Sequence, residues 1–127
     1  MNRCGRDAGQ TLVEFAVSLA LLVLVFLAVF DLGRAFNAYI IITNAAREGA
    51  YYGGMHPDDT AGIKAHVVNE AQGAGIALSA GNVSVSSSGV KGQPITVSVI
   101  YDFALFSAVL PGRSTIRLRG TAQMVIY

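Results

Sequence analysis

Charge is scarce in this sequence. Charged residues make up 13% of its 127 positions, against about 25% in a typical soluble domain. Lys and Arg together number nine and Asp and Glu eight, a formal net charge of +1, which leaves no basic field to hold nucleic acid. A single cysteine, Cys4, excludes an intrachain disulfide, and no Cys/His spacing suits zinc. What is abundant is apolar: hydrophobic residues make up 53%. That composition excludes a disordered, solvating chain. The length holds one domain, or one small domain with an appendage. An ordinary soluble globule fits only if the apolar excess is concentrated in one place.

The excess sits near the N-terminus. From Phe15 to Phe30 sixteen residues, FAVSLALLVLVFLAVF, carry no charge, bounded by Glu14 and Asp31. As a helix this run covers about 24 Å; counting Leu12 and Val13, with Glu14 inside, it reaches nineteen residues, within the roughly 17–25 that span a bilayer. Arg3 and Arg6 precede it, so the positive-inside rule places the short N-terminus in the cytoplasm. A cleaved secretory signal fits poorly. Ala28-Val29-Phe30-Asp31-Leu32 lacks an Ala-x-Ala site, and Glu14 interrupts the apolar core. A plain uncleaved anchor explains the length but gives no reason for Glu14.

A carboxylate within a membrane helix costs about 2.5–3.5 kcal/mol at mid-bilayer, and less near the interface. Glu14 therefore either snorkels to the headgroups or pairs with a cation. Cleavage between Gly9 and Gln10 would make Glu14 the fifth residue of the product. The new α-amine on Gln10, with an ordinary pKa of about 8, would be charged. It would lie about one helical turn from Glu14, on the same chain or on a neighbouring subunit.

Gly9-Gln10-Thr11-Leu12-Val13-Glu14-Phe15-Ala16 resembles the prepilin-peptidase site of type IV pilin-like proteins. Gly33-Arg34-Ala35-Phe36 and Asn44-Ala45-Ala46-Arg47-Glu48-Gly49-Ala50 follow in order, and the three motifs together resemble the TadE-like family of the tight-adherence (Flp/Tad) pilus system. The resemblance runs from Gly9 to about Tyr52. It implies a pseudopilin or minor pilin, non-enzymatic, made in the bacterial inner membrane with its C-terminal domain periplasmic, or carried into an extracellular pilus. It implies prepilin peptidase and other pilin-like subunits as partners, Gly9 and Gln10 as the processing site, and Glu14 as the residue that sets axial register. Gly33, Arg34, Ala46 and Gly49 are then candidates for helix packing. Removing residues 1–9 would leave 118 residues with seven basic and seven acidic side chains and no cysteine. Family members often carry a proline inside the apolar run and cysteines in the outer domain. This chain has neither, which predicts a straighter helix and no disulfide-stabilised fold. The alternative is an uncleaved, single-pass anchored protein whose outer domain binds a partner.

The expected architecture is α+β, with a leader over 1–9, a transmembrane helix over 10–31, a stalk helix over 32–54 and an outer domain over 55–127. In the stalk, Leu32, Phe36, Tyr39, Ile40, Thr43 and Ala46 recur at helical spacing and predict the buried face. Asp31 and Arg34, three apart, predict a weak surface pair. Gly53-Gly54 predicts the helix end near Tyr52. The small residues from Ala45 to Gly53 admit a close neighbour, with the chain's own outer domain favoured over another subunit. Asp58-Asp59-Thr60 offers N-cap residues for a second helix over Thr60–Ala77, with Ile63, Val67, Ala71 and Ala74 inward and His66 and Glu70 as an exposed pair.

Period-two alternation then predicts three or four antiparallel strands. Val83 and Val85 share one face, Ile95 to Phe103 form a longer one, and Ile116 to Ile126 alternate with polar residues. Ser87 to Gly92 reads as a hairpin connection, and Leu105 to Leu110 as an apolar link stopped by Pro111-Gly112. Arg113, Arg117 and Arg119 read as a charged face that deters edge pairing rather than as an anion site. His56 and His66 lack partners for a metal site and read as solvent-exposed. No nucleophile elbow, Ser-x-x-Lys signature or phosphate loop occurs, so no cofactor and no small-molecule substrate are expected.

Overall fold

The computed structural model describes residues 4–106, 112 and 115–127. One helix, α1, runs without interruption over Cys4–Met55, 52 residues or about 78 Å at the usual helical rise. No proline falls within it, so nothing removes a backbone donor along its length. From Leu12 to Phe30 its large apolar side chains are all exposed, none less than 39%. From Asp31 onward one side of α1 is covered by the rest of the chain.

That covered side is not the stripe of large residues. Leu32, Phe36, Tyr39 and Ile40 are exposed, and Thr43 is half-buried. Asp31, Ala35, Ala38, Ile42, Ala45, Ala46 and Ala50 are the buried ones, joined by Gly49, Gly53 and Gly54. The apolar arc of the stalk is wide, with Arg34, Asn37, Asn44, Arg47 and Glu48 on the remaining side, so two stripes within it satisfy the same periodicity. The outer domain takes the face whose small side chains permit close approach. The helix also continues through Gly53 and Gly54 to Met55 rather than ending near Tyr52. A Cβ on Gly53 would meet Ile95 Cδ1 at 2.6 Å and Ile63 Cδ1 at 3.0 Å, and one on Gly54 would meet the Val125 carbonyl oxygen at 3.1 Å. Both glycines serve this contact, which offsets a helix-propensity penalty of about 1 kcal/mol each.

The second helix, α2, spans Thr60–Gly73. Asp59 caps it, accepting a hydrogen bond from the Gly62 N–H at 2.9 Å, and satisfies a donor the first turn leaves open. Ile63, Val67 and Ala71 face inward. The helix stops short of Ala77 because Gly75 adopts a left-handed φ of 91°. Ile76 N–H then donates to Ala71 O at 2.8 Å and Gly75 N–H to Gln72 O at 3.0 Å, a Schellman closure in which buried Ile76 supplies the apolar contact. Ala74 is left exposed at the cap.

The remaining elements are three strands, β1 (Val83–Ser86), β2 (Pro94–Ala104) and β3 (Thr115–Val125). They form one antiparallel sheet in the order β1-β2-β3, with Val83 opposite Val99 and Val99 opposite Gly120. Ile95, Val97, Val99 and Phe103 are buried against the helices, and Ile116, Leu118, Ala122 and Met124 pack partly onto the same core. The other face is polar: Ser98 and Thr121 hydroxyls meet at 3.2 Å, and Arg117 pairs with Asp102 at 3.1 Å. This is the alternation the sequence predicts, with three strands. Arg113, Pro111 and most of the Leu105–Leu110 link lie outside the described residues. The inward position at 120 is held by glycine, and there the sheet touches the backbone of α1. The C-terminus is tied back by Tyr127 N–H donating to Gly54 O at 3.0 Å.

Candidate functional site

The N-terminal half of α1 carries the predicted processing and register residues on one bare rod. Gly9, Gln10 and Glu14 are exposed, and a Cβ on Gly9 would meet nothing within 4 Å. Gln10 and Glu14 are four apart and therefore share a face, one turn from each other. Glu14 lies seventeen residues before Asp31, about 25 Å down the axis from the outer domain. The rest of the chain leaves this segment uncovered.

The four candidate packing residues divide. Gly33 is exposed, with open space where a Cβ would stand. Ala46 and Gly49 are inside the chain's own core, Gly49 against Val67 of α2. Arg34 belongs to a junction that sequence spacing does not reveal. Its Nη1 donates to Asp31 Oδ1 at 3.0 Å, and the same oxygen accepts the backbone N–H of Phe106 at 3.2 Å. The guanidinium lies over the Phe106 ring at 4.1 Å and the Phe103 ring at 4.9 Å. Asp31 is only 2% exposed. The pair is thus a buried clasp holding the end of β2 to α1 rather than a weak surface pair. The two phenylalanines stand about seventy positions further along the chain, so local spacing carries no trace of them.

Three polar residues of the Asn44–Ala50 motif have an outward role. Asn44, Arg47 and Glu48 line a shallow groove between α1 and β3, closed by Tyr51, Ala122, Gln123 and Met124. Since β3 is a sheet edge, this groove combines an open strand with charged side chains of both signs.

At the far end of α1 the two histidines stack on Tyr52. Ring centroids lie 4.5 Å apart for His56 and 4.1 Å for His66. Both histidines are exposed, and His66 takes Tyr52 as its neighbour across the α1–α2 crossing. The Tyr52 hydroxyl donates to Asp59 Oδ2 at 2.9 Å. The Gly62 N–H and then this hydroxyl hold the Asp59 carboxyl below its usual pKa, while the same bond raises that of Tyr52. A depressed folded-state pKa stabilises the fold above the unfolded value, about 3.9. That contribution is lost as pH falls through the lower folded value. Asp59→Ala is therefore expected to lower the thermal midpoint at pH 7, with the gap from the parent narrowing as pH falls below about 3.9 toward pH 3. A gap of constant size between those pH values would refute the linkage. Among the described residues no group of three or more His, Cys, Asp or Glu side chains gathers as for a metal ion.

No curated protein and no solved structure matches the chain. The model of one family, described as TadE-like protein, matches residues 9–50. The match begins at the glycine before Gln10, runs the length of the exposed apolar rod, and ends where the Asn44–Ala50 motif packs under the sheet. Over residues 9–50, about a third of its length, the chain is similar to the TadE-like protein family.

Proposed function

We propose that this protein is a pseudopilin or minor pilin that serves assembly of a Flp/Tad-type pilus or a related secretion machine, without catalysing a reaction. The precursor stands in the bacterial inner membrane on α1, N-terminus cytoplasmic and outer domain periplasmic. Prepilin peptidase cuts between Gly9 and Gln10. The freed helix then packs beside those of other pilin-like subunits, where Glu14 meets the Gln10 α-amine of a neighbour. An ion pair in apolar surroundings is costly to desolvate, so its main contribution is to fix one axial register. The observation that carries this reading is the family match starting at Gly9 on a helix whose large apolar side chains from Leu12 to Phe30 are all exposed.

The test is the mature N-terminus. Co-expressed with a prepilin peptidase, the protein is expected to lose residues 1–9, which mass spectrometry reads directly; Gly9→Phe should remain uncut. Glu14→Ala should insert in the membrane and be processed, yet fail to enter assemblies recovered by cross-linking. An intact leader in the presence of active peptidase would instead establish an uncleaved anchor with a partner-binding outer domain.

A further inference from the structure

The clasp at Asp31 places an aromatic side chain where it is largely uncovered. Phe106 is 75% exposed, yet its backbone is pinned: its N–H is bonded to the buried Asp31 carboxylate, and Arg34 lies over its ring. Asp31 directly follows the sixteen-residue uncharged run. The ring is thereby held at the level where α1 leaves its apolar stretch. Phe30 and Leu32, flanking Asp31 on α1, are 53% and 70% exposed. Between Phe15 and Ala46 the sequence has just two charged residues, Asp31 and Arg34, and they neutralise each other. Among the described residues an apolar surface therefore continues from the helix onto Phe106.

We infer that the base of the outer domain rests on the lipid of the membrane that α1 spans, with Phe106 inserted at the interface as a second, peripheral contact. The partner is the outer leaflet of that same bilayer. Aromatic side chains favour this depth, and an exposed apolar group there sinks about 5–10 Å into the headgroup boundary. Arg34 suits the level as well: it keeps one face on aromatic rings and its side chain 34% exposed, as cationic side chains do when they reach from an apolar surface toward headgroups. The clasp has a reason in this geometry. It prevents the domain from swinging about α1 and holds the ring toward the bilayer. The inference rests on the proposed single-pass anchoring of α1.

The chain has no tryptophan, so a single introduced one is a unique reporter. Three full-length variants, Phe26→Trp, Phe106→Trp and Tyr51→Trp, would be reconstituted in phosphatidylcholine vesicles with and without brominated acyl chains. A tryptophan at 106 still stacks on a guanidinium, so the clasp survives the change. Tyr51 lies twenty residues beyond Asp31, about 30 Å along the helix. Bromine is expected to quench position 26 strongly, position 106 by about two-fold at interfacial depth, and position 51 not at all. Quenching at 26 without quenching at 106 overturns the inference and leaves the anchor intact. A blue-shifted but unquenched signal at 106 also overturns it, because the ring is then covered by protein. Absence of quenching at 26 overturns the anchor and the inference together.

Discussion

Gly120→Val is expected to detach the outer sheet from α1. A Cβ at position 120 would stand 2.9 Å from Thr43 N and 3.0 Å from both the carbonyl carbon and oxygen of Ile42. All three are backbone atoms inside a continuous helix, so no side-chain rotation relieves the contact. The strand is equally fixed, since β3 is paired with β2 from Thr115 to Val125. Even alanine overpacks this point, at a cost of about 1–3 kcal/mol or more, and valine adds two further methyl groups. That is a large share of the roughly 5–15 kcal/mol that holds a domain folded.

Gly33→Ala is the matched control. Its Cβ meets nothing, and helix propensity alone favours the change by up to about 1 kcal/mol. Thermal unfolding of the detergent-solubilised chain, followed by circular dichroism, should lose its outer-domain transition in Gly120→Val and retain it in Gly33→Ala. An unchanged midpoint for Gly120→Val would show that α1 does not touch the sheet there.

Asp31→Ala is expected to have the next largest effect. The substitution leaves the Phe106 N–H without its acceptor, at a cost of about 1–3 kcal/mol. It also strands Arg34, though the partial exposure of that side chain lets water recover part of the loss. The total should approach the lower end of the roughly 3–5 kcal/mol typical of a broken buried pair. An exposed i,i+3 pair would be worth only about 0.2–0.5 kcal/mol, so the measurement separates the two descriptions. Arg34→Ala alone should also destabilise, by uncovering the Asp31 carboxylate. The double variant should then lose less than the sum, as coupled neighbours do. A loss within about 0.5 kcal/mol for Asp31→Ala, the range of an ordinary surface change, would show that Asp31 does not clasp the outer domain to α1.

Much of the architecture is legible residue by residue. The strand faces can be read because Ile95, Val97, Val99 and Phe103 alternate with Thr96, Ser98 and Asp102, and a period of two leaves one choice of inside. The start of α2 is legible because Asp59 can bond Gly62 locally. Its end is partly so: Gly73 and Gly75 flank the cap, but which glycine turns left-handed depends on where Ile76 finds the core. The stalk misleads because Leu32, Phe36, Tyr39 and Ile40 form as good a stripe as Ala35, Ala38, Ile42 and Ala46. Hydrophobicity ranks the larger residues inward, whereas packing distance admits the smaller ones. The stacking of His66 on Tyr52 is invisible in sequence because it exists only where two helices cross.

By itself, then, the sequence determined the uncharged run from Phe15 to Phe30 within a long helix, and the α+β class of the chain. These depend on runs, spacings and alternations that act over a few neighbouring residues. Tertiary structure alone decided which side of α1 the sheet covers, that Gly53 and Gly54 remain helical, and that Asp31, Arg34 and Phe106 close into one clasp. Each of those depends on how near two distant backbones can come, a distance set by side-chain volume at positions such as Gly49 and Gly120, where the glycine has its meaning only against the atoms it faces.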